Sequence, residues 1–489
     1  MIDLPDEEPP HRDEDAPSNV VPFPRRRRAS LPTTTPDDIA IADEVFSRCG
    51  EHLRYCGSRG GWFVWRLSHW EVDVTEQARE LVKNVARWYA KQAAENVDED
   101  LFKVAHRVAS ARGTTAILDV LRSDERVVVR PEAFDADPWL LNCWNGTIDL
   151  RRGELRPHRR EDLITRVCPT NFDVAAFDAA SFNGDHTSSA PRFHRFLAEV
   201  QPDAEVRAYL QRLFGYAAVG VVQEHILGVL WGSGANGKSV LMDVVRRVLG
   251  DYAKPGPASL IVTNGHHTPH PTDVASLVGS RLVVVHETAR GATFDASKVK
   301  LLTGGDALTA RHMREDFFTF EPTHTLLMLS NYKPSADASD PALWRRVQLV
   351  PFGVVVPEDR RDRELADRIV EAEASGVLSW IVRGALEWHR IGLSVPAIVR
   401  EQTEAYRASE DVVAAFLAER CVVLPAAKVK AGLIYDAFKA WAESQGVRAM
   451  SGRDFAAEVI GRGFRRLPRS SSGIFYEGIG LAADGGDDA

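Results

Sequence analysis

A short glycine-rich loop between a strand-like run and a helix-like run constrains the fold of this chain more than any other feature. The loop runs from Gly232 to Ser239 with the spacing G-x-x-x-x-G-K-S. An apolar run over residues 225–231 precedes it, and the following residues, VLMDVVRRVLG, have the apolar spacing of a helix. In a strand, loop and helix of this kind, backbone N–H groups and the helix N-terminus surround phosphate oxygens. The sequence therefore predicts a nucleotide-binding loop, whereas the spacing alone is also compatible with a flexible glycine turn.

The residue types in this loop predict which atoms meet the nucleotide. We expect Lys238 to reach the β and γ phosphate oxygens and Ser239 to bind Mg²⁺, so that ATP and Mg²⁺ are the predicted cofactors. The predicted nucleotide-binding residues are Gly232, Ser233, Gly234, Ala235, Asn236, Gly237, Lys238, Ser239 and Val240.

The surroundings of the loop predict an α/β P-loop core. Over residues 191–357, helical segments alternate with the short apolar runs ILGVLWG, RLVVVHE, HTLLMLSN and RVQLVPF. Runs that are apolar throughout are typical of strands buried on both faces, which occur in parallel sheets flanked by helices.

Polar residues at the ends of these predicted strands are candidates for catalysis. Glu287 ends the second run and is placed to polarise the attacking water, and Asn331 ends the third and is placed to sense the γ-phosphate. Arg345 and Arg346 stand before the last run, where an arginine can reach the nucleotide of a neighbouring subunit. A surface glutamate, an Asn turn and a surface arginine pair are the structural alternatives.

The rest of the chain divides by composition. We predict a disordered charged tail over residues 1–40 with a run of four arginines (residues 25–28), an N-terminal α+β domain over 41–175, and a linker over 176–190. After the core, a helical segment covers 358–419 and a winged-helix-like domain covers 420–489, since helix, helix and hairpin follow one another there.

Several conspicuous side chains have ordinary explanations. Trp62, Trp65 and Trp70 alternate as in the core of a hairpin, although stacking on bases is the functional alternative. The histidines of residues 266–270 lie in a proline-rich segment typical of a surface loop rather than of a metal site. In the last domain, Arg465, Arg466 and Arg469 predict a basic wing against duplex phosphates, whereas protein contact is the alternative.

Composition excludes whole classes of protein. The net charge of −9 excludes a chain that is basic throughout, so any nucleic-acid surface must be a local patch. The five cysteines lack C-x-x-C spacing, which argues against a zinc ribbon or a disulfide framework, and no apolar run approaches about 20 residues. We expect a protein without membrane contact in the cytoplasm of a bacterial host cell.

In order and spacing, LWGSGANGKS, RLVVVHE, KLLTGGDALTARHMREDFFTF, LLMLSN and DPALWRRVQLVPF resemble the superfamily 3 helicases of the phage, plasmid and poxvirus primase-helicase group. The segment from Asn145 to Asp173 is similar to the one that precedes the helicase domain in those proteins. The resemblance implies that Lys238 and Ser239 are the Walker A lysine and metal ligand, Glu287 the Walker B glutamate and Asn331 the sensor. It implies an AAA+-like core and one trans-acting arginine, for which we expect Arg346.

The same resemblance implies a hairpin that grips single-stranded DNA in the channel of a ring. LTARHM and FFTFEP are its expected strands, and its expected DNA-binding residues are Lys300, Arg311, His312 and Arg314. The alternative for Lys300 and Arg311 is an internal salt bridge.

This chain departs from the family pattern in two places. His286 stands where many relatives carry a second acidic residue, so Mg²⁺ would rest on Ser239, water and phosphate oxygens. About 140 ordered residues precede the helicase part without an evident metal-ligand cluster, so we expect a helicase without primase activity.

The sequence thus predicts an ATP hydrolase and DNA helicase of phage, prophage or plasmid replication. We expect it to self-associate into a ring, taken as a hexamer, to act on single-stranded and forked DNA, and to work with a separate primase or polymerase. The alternative is an ATP-dependent initiator or loader that binds origin DNA without processive unwinding. The third alternative is a metabolic P-loop kinase, but such an enzyme does not explain the predicted winged-helix domain.

Overall fold

The computed structural model describes residues 36–183, 187–263, 271–286, 291–311, 313–314, 316–447 and 449–482, with side chains given except at 180–183. The described chain forms two compact units. Residues 36–175 with 249–251 make unit 1, and residues 176–248 with 252–482 make unit 2. Each unit is described by itself below.

Unit 1 combines helices with two small antiparallel sheets. Its helices and strands, in chain order, are α1 (Asp38–Cys49), β1 (Leu53–Cys56), β2 (Gly61–Trp65), β3 (Trp70–Val72), α2 (Gln77–Asn96), α3 (Glu99–Ala109), α4 (Ala111–Leu121), β4 (Leu140–Cys143), β5 (Gly146–Asp149) and β6 (Glu154–Arg156). The sheets have the orders β1-β2-β3 and β4-β5-β6. The α+β character predicted for this part of the chain is therefore present.

The tryptophan-rich segment of unit 1 forms the predicted hairpin. Strands β2 and β3 pair antiparallel, with Trp65 opposite Trp70. Both of these side chains are buried, and Trp62 packs against Tyr55 at the edge of the neighbouring helical core. Their role is therefore in packing, as predicted.

Two predicted boundaries differ from the structure. Helix α1 begins at Asp38, because the Asp37 carboxylate accepts a hydrogen bond from the Ala40 amide and caps the helix, so the first ordered turn includes residues assigned to the tail. The predicted linker over 176–190 contains most of α5 (Val174–Asn183), whose Phe177 is buried. Small residues that favour a linker by composition are also compatible with a helix once an apolar side chain is buried.

Unit 2 holds a five-stranded parallel sheet. After α5 its elements are α6 (Pro191–Val200), α7 (Ala204–Val219), β7 (Leu227–Trp231), α8 (Lys238–Leu249), β8 (Ala253–Gly256), β9 (Val262–Thr263), α9 (Pro271–Ala275), β10 (Leu282–Val285), β11 (Thr293–Phe294), α10 (Ala296–Leu302), β12 (Leu308–Ala310), β13 (Phe318–Phe320), β14 (Thr325–Ser330), α11 (Pro341–Trp344), β15 (Val347–Pro351), α12 (Leu365–Ile391), α13 (Ala397–Ser409), α14 (Val412–Arg420), β16 (Cys421–Lys430), α15 (Ala431–Ser444), α16 (Gly452–Gly461), β17 (Arg465–Arg466) and β18 (Phe475–Leu481).

The four apolar runs recognised in the sequence form four consecutive members, β15, β7, β14 and β10, of this sheet's order, β15-β7-β14-β10-β8. All neighbours in it are parallel. Almost every residue of β7, β10 and β14 is buried, because helices cover both faces of a parallel sheet. The order places β7, which leads into the glycine-rich loop, between β14 and β15.

Sequence reasoning missed the edge strand β8. It contains Pro255 and Gly256, which are depleted in strands because proline lacks an N–H donor and glycine has no side chain to pack. An edge position tolerates both, since only one side of β8 is bonded to a neighbour, β10.

The C-terminal part of unit 2 has its own apolar core, built by α14, α15, α16 and a three-stranded sheet of order β16-β18-β17. The predicted sequence of helix, helix and hairpin is present, but β16 precedes it and was not predicted. The stretch Val423–Lys428 interrupts the pairing of β16 with β18, because a bulge there shifts the register.

No helix in the described part of the chain has the length and apolar character needed to cross a membrane.

The buried His324, just before β14, predicts an acid-sensitive unit 2. Its side chain is almost wholly buried, neither ring nitrogen has a well-aligned hydrogen-bond partner among the described residues, and burial lowers the pKa to about 4. The unfolded chain then binds a proton at higher pH than the folded one, so stability is lost as the pH falls from about 6.5 to about 4. We expect the free energy of unfolding to fall by about 3 kcal/mol over this window through His324 alone.

Chemical denaturation at several pH values measures this effect. His324→Leu removes the titrating group at similar volume, and its unfolding free energy should depend less steeply on pH between about 6.5 and 4. Equal pH dependence in the two proteins would contradict the assignment.

Candidate active site

The glycine-rich loop follows β7 and leads into α8, and close packing explains two of its glycines. A Cβ on Gly232 would lie 2.2 Å from the Phe352 carbonyl oxygen, and one on Gly237 would lie 2.5 Å from the Val200 side chain. Gly234 has φ of +102° and faces open space, since a Cβ there would meet nothing within 4 Å. The loop is thus held against the protein at both ends and open in the middle.

The Lys238 ammonium lies at the centre of the loop. It is 4% exposed, and Nζ donates to the Gly232 carbonyl at 2.8 Å, to Asn236 Oδ1 at 2.9 Å and to Asn331 Oδ1 at 3.1 Å. An ammonium has three N–H donors, so these oxygens match its full hydrogen-bonding capacity. Asn331 directly follows β14, the neighbour of β7, and the parallel pairing brings it to Lys238 across 93 residues of chain.

The loop is also tied to the chain after β15. Asn236 is 2% exposed, and its Nδ2 donates to the Phe352 carbonyl at 3.1 Å, while the Val356 amide donates to the Ala235 carbonyl at 2.8 Å. These bonds orient the Asn236 Oδ1 that Lys238 contacts. Among the remaining loop residues, Ser233 and Ser239 are exposed and Val240 is half-buried.

The end of the second predicted strand is only partly described. β10 ends at Val285, and His286 beyond it is exposed. Glu287 lies outside the described residues, so its role as the residue that polarises water stays a prediction. The histidines of residues 266–270 also lie outside the described residues, so the surface loop expected there stays a prediction.

The two adjacent arginines have different surroundings. Arg346 is 8% exposed, and its guanidinium donates to Thr303 Oγ1 at 3.1 Å and to the Ala342 carbonyl at 2.7 Å. Burial, and then the neighbouring charge of Arg345, lower the pKa of Arg346. Arg345 is exposed, and no described carboxylate or carbonyl pairs with its side chain. Arg346 is thus bonded inside its own chain, and a contact between Arg346 and a neighbouring subunit stays a prediction.

Lys333 is a further cation near the loop that the sequence analysis did not select. Its Nζ lies 4.3 Å from the centre of the Trp231 ring, the last residue of β7, and 5.3 Å from that of Tyr406. Burial lowers the pKa of Lys333, and the nearby Glu410 opposes that effect. The sequence feature that could have identified Lys333 is its position two residues after Asn331.

A hairpin is present at the predicted place, with shorter strands than expected, and its contact with DNA stays a prediction. β12 and β13 pair antiparallel, with Ala310 opposite Phe318. Arg311 and Arg314 are exposed between them, and the Arg311 guanidinium lies 4.9 Å from the centre of the Phe317 ring. His312 lies outside the described residues.

Lys300, the remaining hairpin candidate, is engaged elsewhere. Its Nζ lies 2.8 Å from Asp340 Oδ2, and the two side chains are 35% and 18% exposed. The internal salt bridge considered as the alternative for Lys300 is therefore present, and DNA binding by Lys300 stays a prediction.

The predicted basic wing lies on β17 and the turn after it. Arg465 is 76% exposed and lies 3.5 Å from Glu477, whereas Arg466 and Arg469 are exposed and no carboxylate described in this domain pairs with them. In the described ranges, no group of three or more histidine, cysteine or acidic side chains is placed to hold a metal ion.

Two family models match the chain. One, described as D5 N terminal like, matches residues 41–202, and the other, a family of unknown function (DUF5906), matches residues 230–346. The second range contains the glycine-rich loop, Asn331 and both arginines.

Several similar curated proteins are viral. "Putative helicase L207/L206" of Acanthamoeba polyphaga mimivirus is 25% identical over 400 residues, which are 74% of this chain and 41% of that protein. "Putative helicase 022R" of Frog virus 3 is 25% identical, over 66% of this chain and 41% of that protein. A "Putative primase" of African swine fever virus is 23% identical, over 63% and 34%. The chain thus spans less than half the length of each of these relatives.

Among solved structures, an apo form of the NrS-1 C-terminal region is similar over 86% of this chain and 94% of that one. The identity is 10% and the TM-score 0.39, so this likeness carries no argument about the fold.

Proposed function

Because the chain belongs to the D5-like primase-helicase family, we propose that it is an ATP-dependent DNA helicase of a replication system of phage, prophage or plasmid type, acting in the cytoplasm of a bacterial host. In this proposal it is a ring, taken as a hexamer, that hydrolyses ATP between subunits and draws one DNA strand through its centre. A separate primase or polymerase would supply primers.

The observation that carries the proposal is the hydrogen bond between Lys238 and Asn331 at the carboxyl edge of the parallel sheet. Ligands of open α/β sheets bind at this edge, where loops from neighbouring strands meet. The open space above Gly234 and the exposed Ser239 hydroxyl leave room for a triphosphate beside the Lys238 ammonium. These features, together with the strand order, support the AAA+-like P-loop assignment.

The residues of the loop fit a magnesium nucleotide. Ser239 would hold Mg²⁺, which, when bound, neutralises charge on the β and γ phosphates. Lys238 would exchange protein oxygens for phosphate oxygens, and Asn331, freed from that bond, would orient the attacking water or sense the γ-phosphate. Glu287 is proposed as the residue that polarises this water.

Arg345 is the proposed trans-acting arginine. It is exposed, unlike Arg346, and it is the C-cap residue of the short helix α11, two residues before β15 begins. An exposed arginine at a helix end reaches a neighbour's γ-phosphate without breaking bonds in its own chain, and its fork of donors matches the phosphate oxygens.

Arg311, Arg314 and His312 are the proposed DNA contacts on the hairpin. For Arg311→Ala we expect weaker binding of all single-stranded sequences alike, because a phosphate contact does not read bases. The slope of log affinity against log salt should become shallower by about 0.7 per lost contact. Titration of a labelled oligonucleotide at several salt concentrations measures both.

Arg390→Ala is the matched control for that titration, since Arg390 is exposed on α12 and pairs with Glu387. An unchanged salt slope for Arg311→Ala would remove Arg311 from the DNA-binding surface.

A second function, that of an origin-binding initiator or loader, is favoured by one observation. The C-terminal order of helix, strand, two helices and hairpin supports the winged-helix interpretation, and Arg466 and Arg469 are exposed on its hairpin. In this alternative ATP drives assembly on duplex DNA and unwinding is left to another protein.

Strand displacement from a forked duplex separates the two functions. The helicase proposal expects ATP-dependent displacement by the assembled protein, and ATP hydrolysis that single-stranded DNA stimulates. If single-stranded DNA stimulates hydrolysis by an assembled ring but no strand is displaced, the initiator function remains.

A further inference from the structure

Two segments of unit 2 that the proposed function assigns to different tasks are joined by polar contacts. We call residues 340–346, which end in the two arginines, the arginine segment. We call residues 296–320, which contain α10 and the β12–β13 hairpin, the hairpin segment. One segment faces a neighbour's nucleotide and the other faces DNA in the proposed ring, so contacts between them join the two sites.

The first contact is the ion pair between Lys300 of α10 and Asp340. Asp340 also caps α11, because its Oδ1 accepts hydrogen bonds from the Ala342 and Leu343 amides at 3.0 Å each. Burial raises the pKa of Asp340, but the Lys300 hydrogen bond and the two amides outweigh it, so the net pKa lies below its ordinary value. One carboxylate thus holds the start of α11 with one oxygen and α10 with the other.

The second contact joins Arg346 to the end of α10. Arg346 donates through Nε to the hydroxyl of Thr303, which is 3% exposed and itself donates to the Val299 carbonyl at 2.6 Å. The Arg346 carbonyl accepts a hydrogen bond of 2.8 Å from the Leu227 amide, at the start of the strand that leads into the glycine-rich loop. Arg346 therefore contacts both the hairpin segment and the start of β7, the strand whose other end leads into the glycine-rich loop.

Apolar packing makes the connection between the arginine segment and the hairpin segment rigid. Val299 and Leu302 of α10 belong to the same buried core as Leu343 and Trp344 of α11, and all four are at most 6% exposed. Closely packed interiors transmit small displacements instead of absorbing them. From Thr303, four residues lead to the first residue of β12.

We infer that Asp340 and Thr303, through the two cations they bind, are positioning residues that couple the arginine segment to the hairpin segment. This inference rests on the proposed function. When Arg345 engages or releases a neighbour's nucleotide, the displacement of α11 passes through these contacts to α10 and then to the hairpin. By the reciprocity of linkage, DNA on the hairpin favours one position of Arg345 and so changes the rate of hydrolysis.

Two conservative variants test the coupling. Asp340→Asn keeps a capping oxygen for α11 but removes the charge that holds Lys300, and Thr303→Val removes only the hydroxyl that Arg346 contacts. The measurements are ATP hydrolysis without DNA, hydrolysis at saturating single-stranded DNA, and the affinity for that DNA. We expect the factor by which DNA stimulates hydrolysis to fall about fivefold or more in each variant, with basal hydrolysis and affinity within about twofold of wild type.

Asp337→Asn and Thr303→Ser are the matched controls. Asp337 is exposed in the same loop, and among the described residues its side chain is bonded only to Ser339 and pairs with no cation, while serine restores the hydroxyl at 303. Both controls should keep the wild-type stimulation of hydrolysis by DNA. A variant that merely disturbed the structure around position 303 would not keep it.

The outcomes separate this inference from the function on which it rests. Wild-type stimulation in both test variants overturns the coupling alone, and so does a loss of DNA affinity with stimulation preserved at saturation. Absence of DNA-stimulated hydrolysis in the wild-type protein overturns the proposed function, and the coupling with it.

Discussion

Lys238→Ala will lower the rate of ATP hydrolysis about 100-fold or more, because it removes the only charge that the described loop places among its oxygens. The ammonium is positioned in advance by three protein acceptors, so it stabilises developing phosphate charge with little reorganisation. Steady-state release of phosphate measures the rate, and oligonucleotide binding without nucleotide should change little.

Arg246→Ala is the control for this variant. Arg246 lies on the same helix, α8, and pairs with Asp243 at the surface, 2.9 Å away. It should hydrolyse ATP at the wild-type rate. If both variants lose activity together with their cooperative thermal transition, the effect is on folding and Lys238 has no demonstrated catalytic role.

Arg345→Ala will lower hydrolysis by the assembled protein about 1,000-fold, the effect expected from removing an arginine that stabilises transition-state charge. The arginine acts on a neighbour's nucleotide, so Arg345→Ala and Lys238→Ala should complement each other when subunits are mixed. In an equal mixture, on the order of a quarter of the interfaces combine an intact loop with an intact arginine. Hydrolysis should therefore return to roughly that fraction of the wild-type rate, although neither variant is active alone.

Arg346→Ala provides the comparison for the mixing experiment. Its guanidinium is bonded within its own chain, so its loss leaves the Thr303 hydroxyl and the Ala342 carbonyl without their partner and cannot be complemented by a neighbour. Complementation by Arg346→Ala together with failure of Arg345→Ala would reverse the assignment of the two arginines.

The parts of this site that the sequence predicted depend on local signals. Gly232, Gly237 and Lys238 stand at fixed spacing in one loop, and the apolar runs around them are long and uniform enough to be recognised as buried strands. Asn331 was found because it ends one of those runs, and parallel strands bring their carboxyl ends to one edge. The edge strand β8 gave no such signal, because its proline and glycine oppose the pattern.

The partners of long cationic side chains were not predictable in the same way. Lys300 and Asp340 are separated by 40 residues, and nothing near Lys300 in the sequence distinguishes a free cation from a paired one. Glu287 and His312 lie outside the described residues, so for them the sequence remains the basis of the proposal.

By itself, then, the sequence determined the loop, four of the strands around it and the residues that those strands carry to one edge. Only the tertiary structure distinguished the surroundings of Arg345 from those of Arg346. Adjacent residues at the end of a helix point about 100° apart, so one guanidinium turns into the core toward Thr303 while the other faces outward. Which of the two turns inward depends on how α11 packs against α10, and that packing is set by contacts between residues distant in the chain.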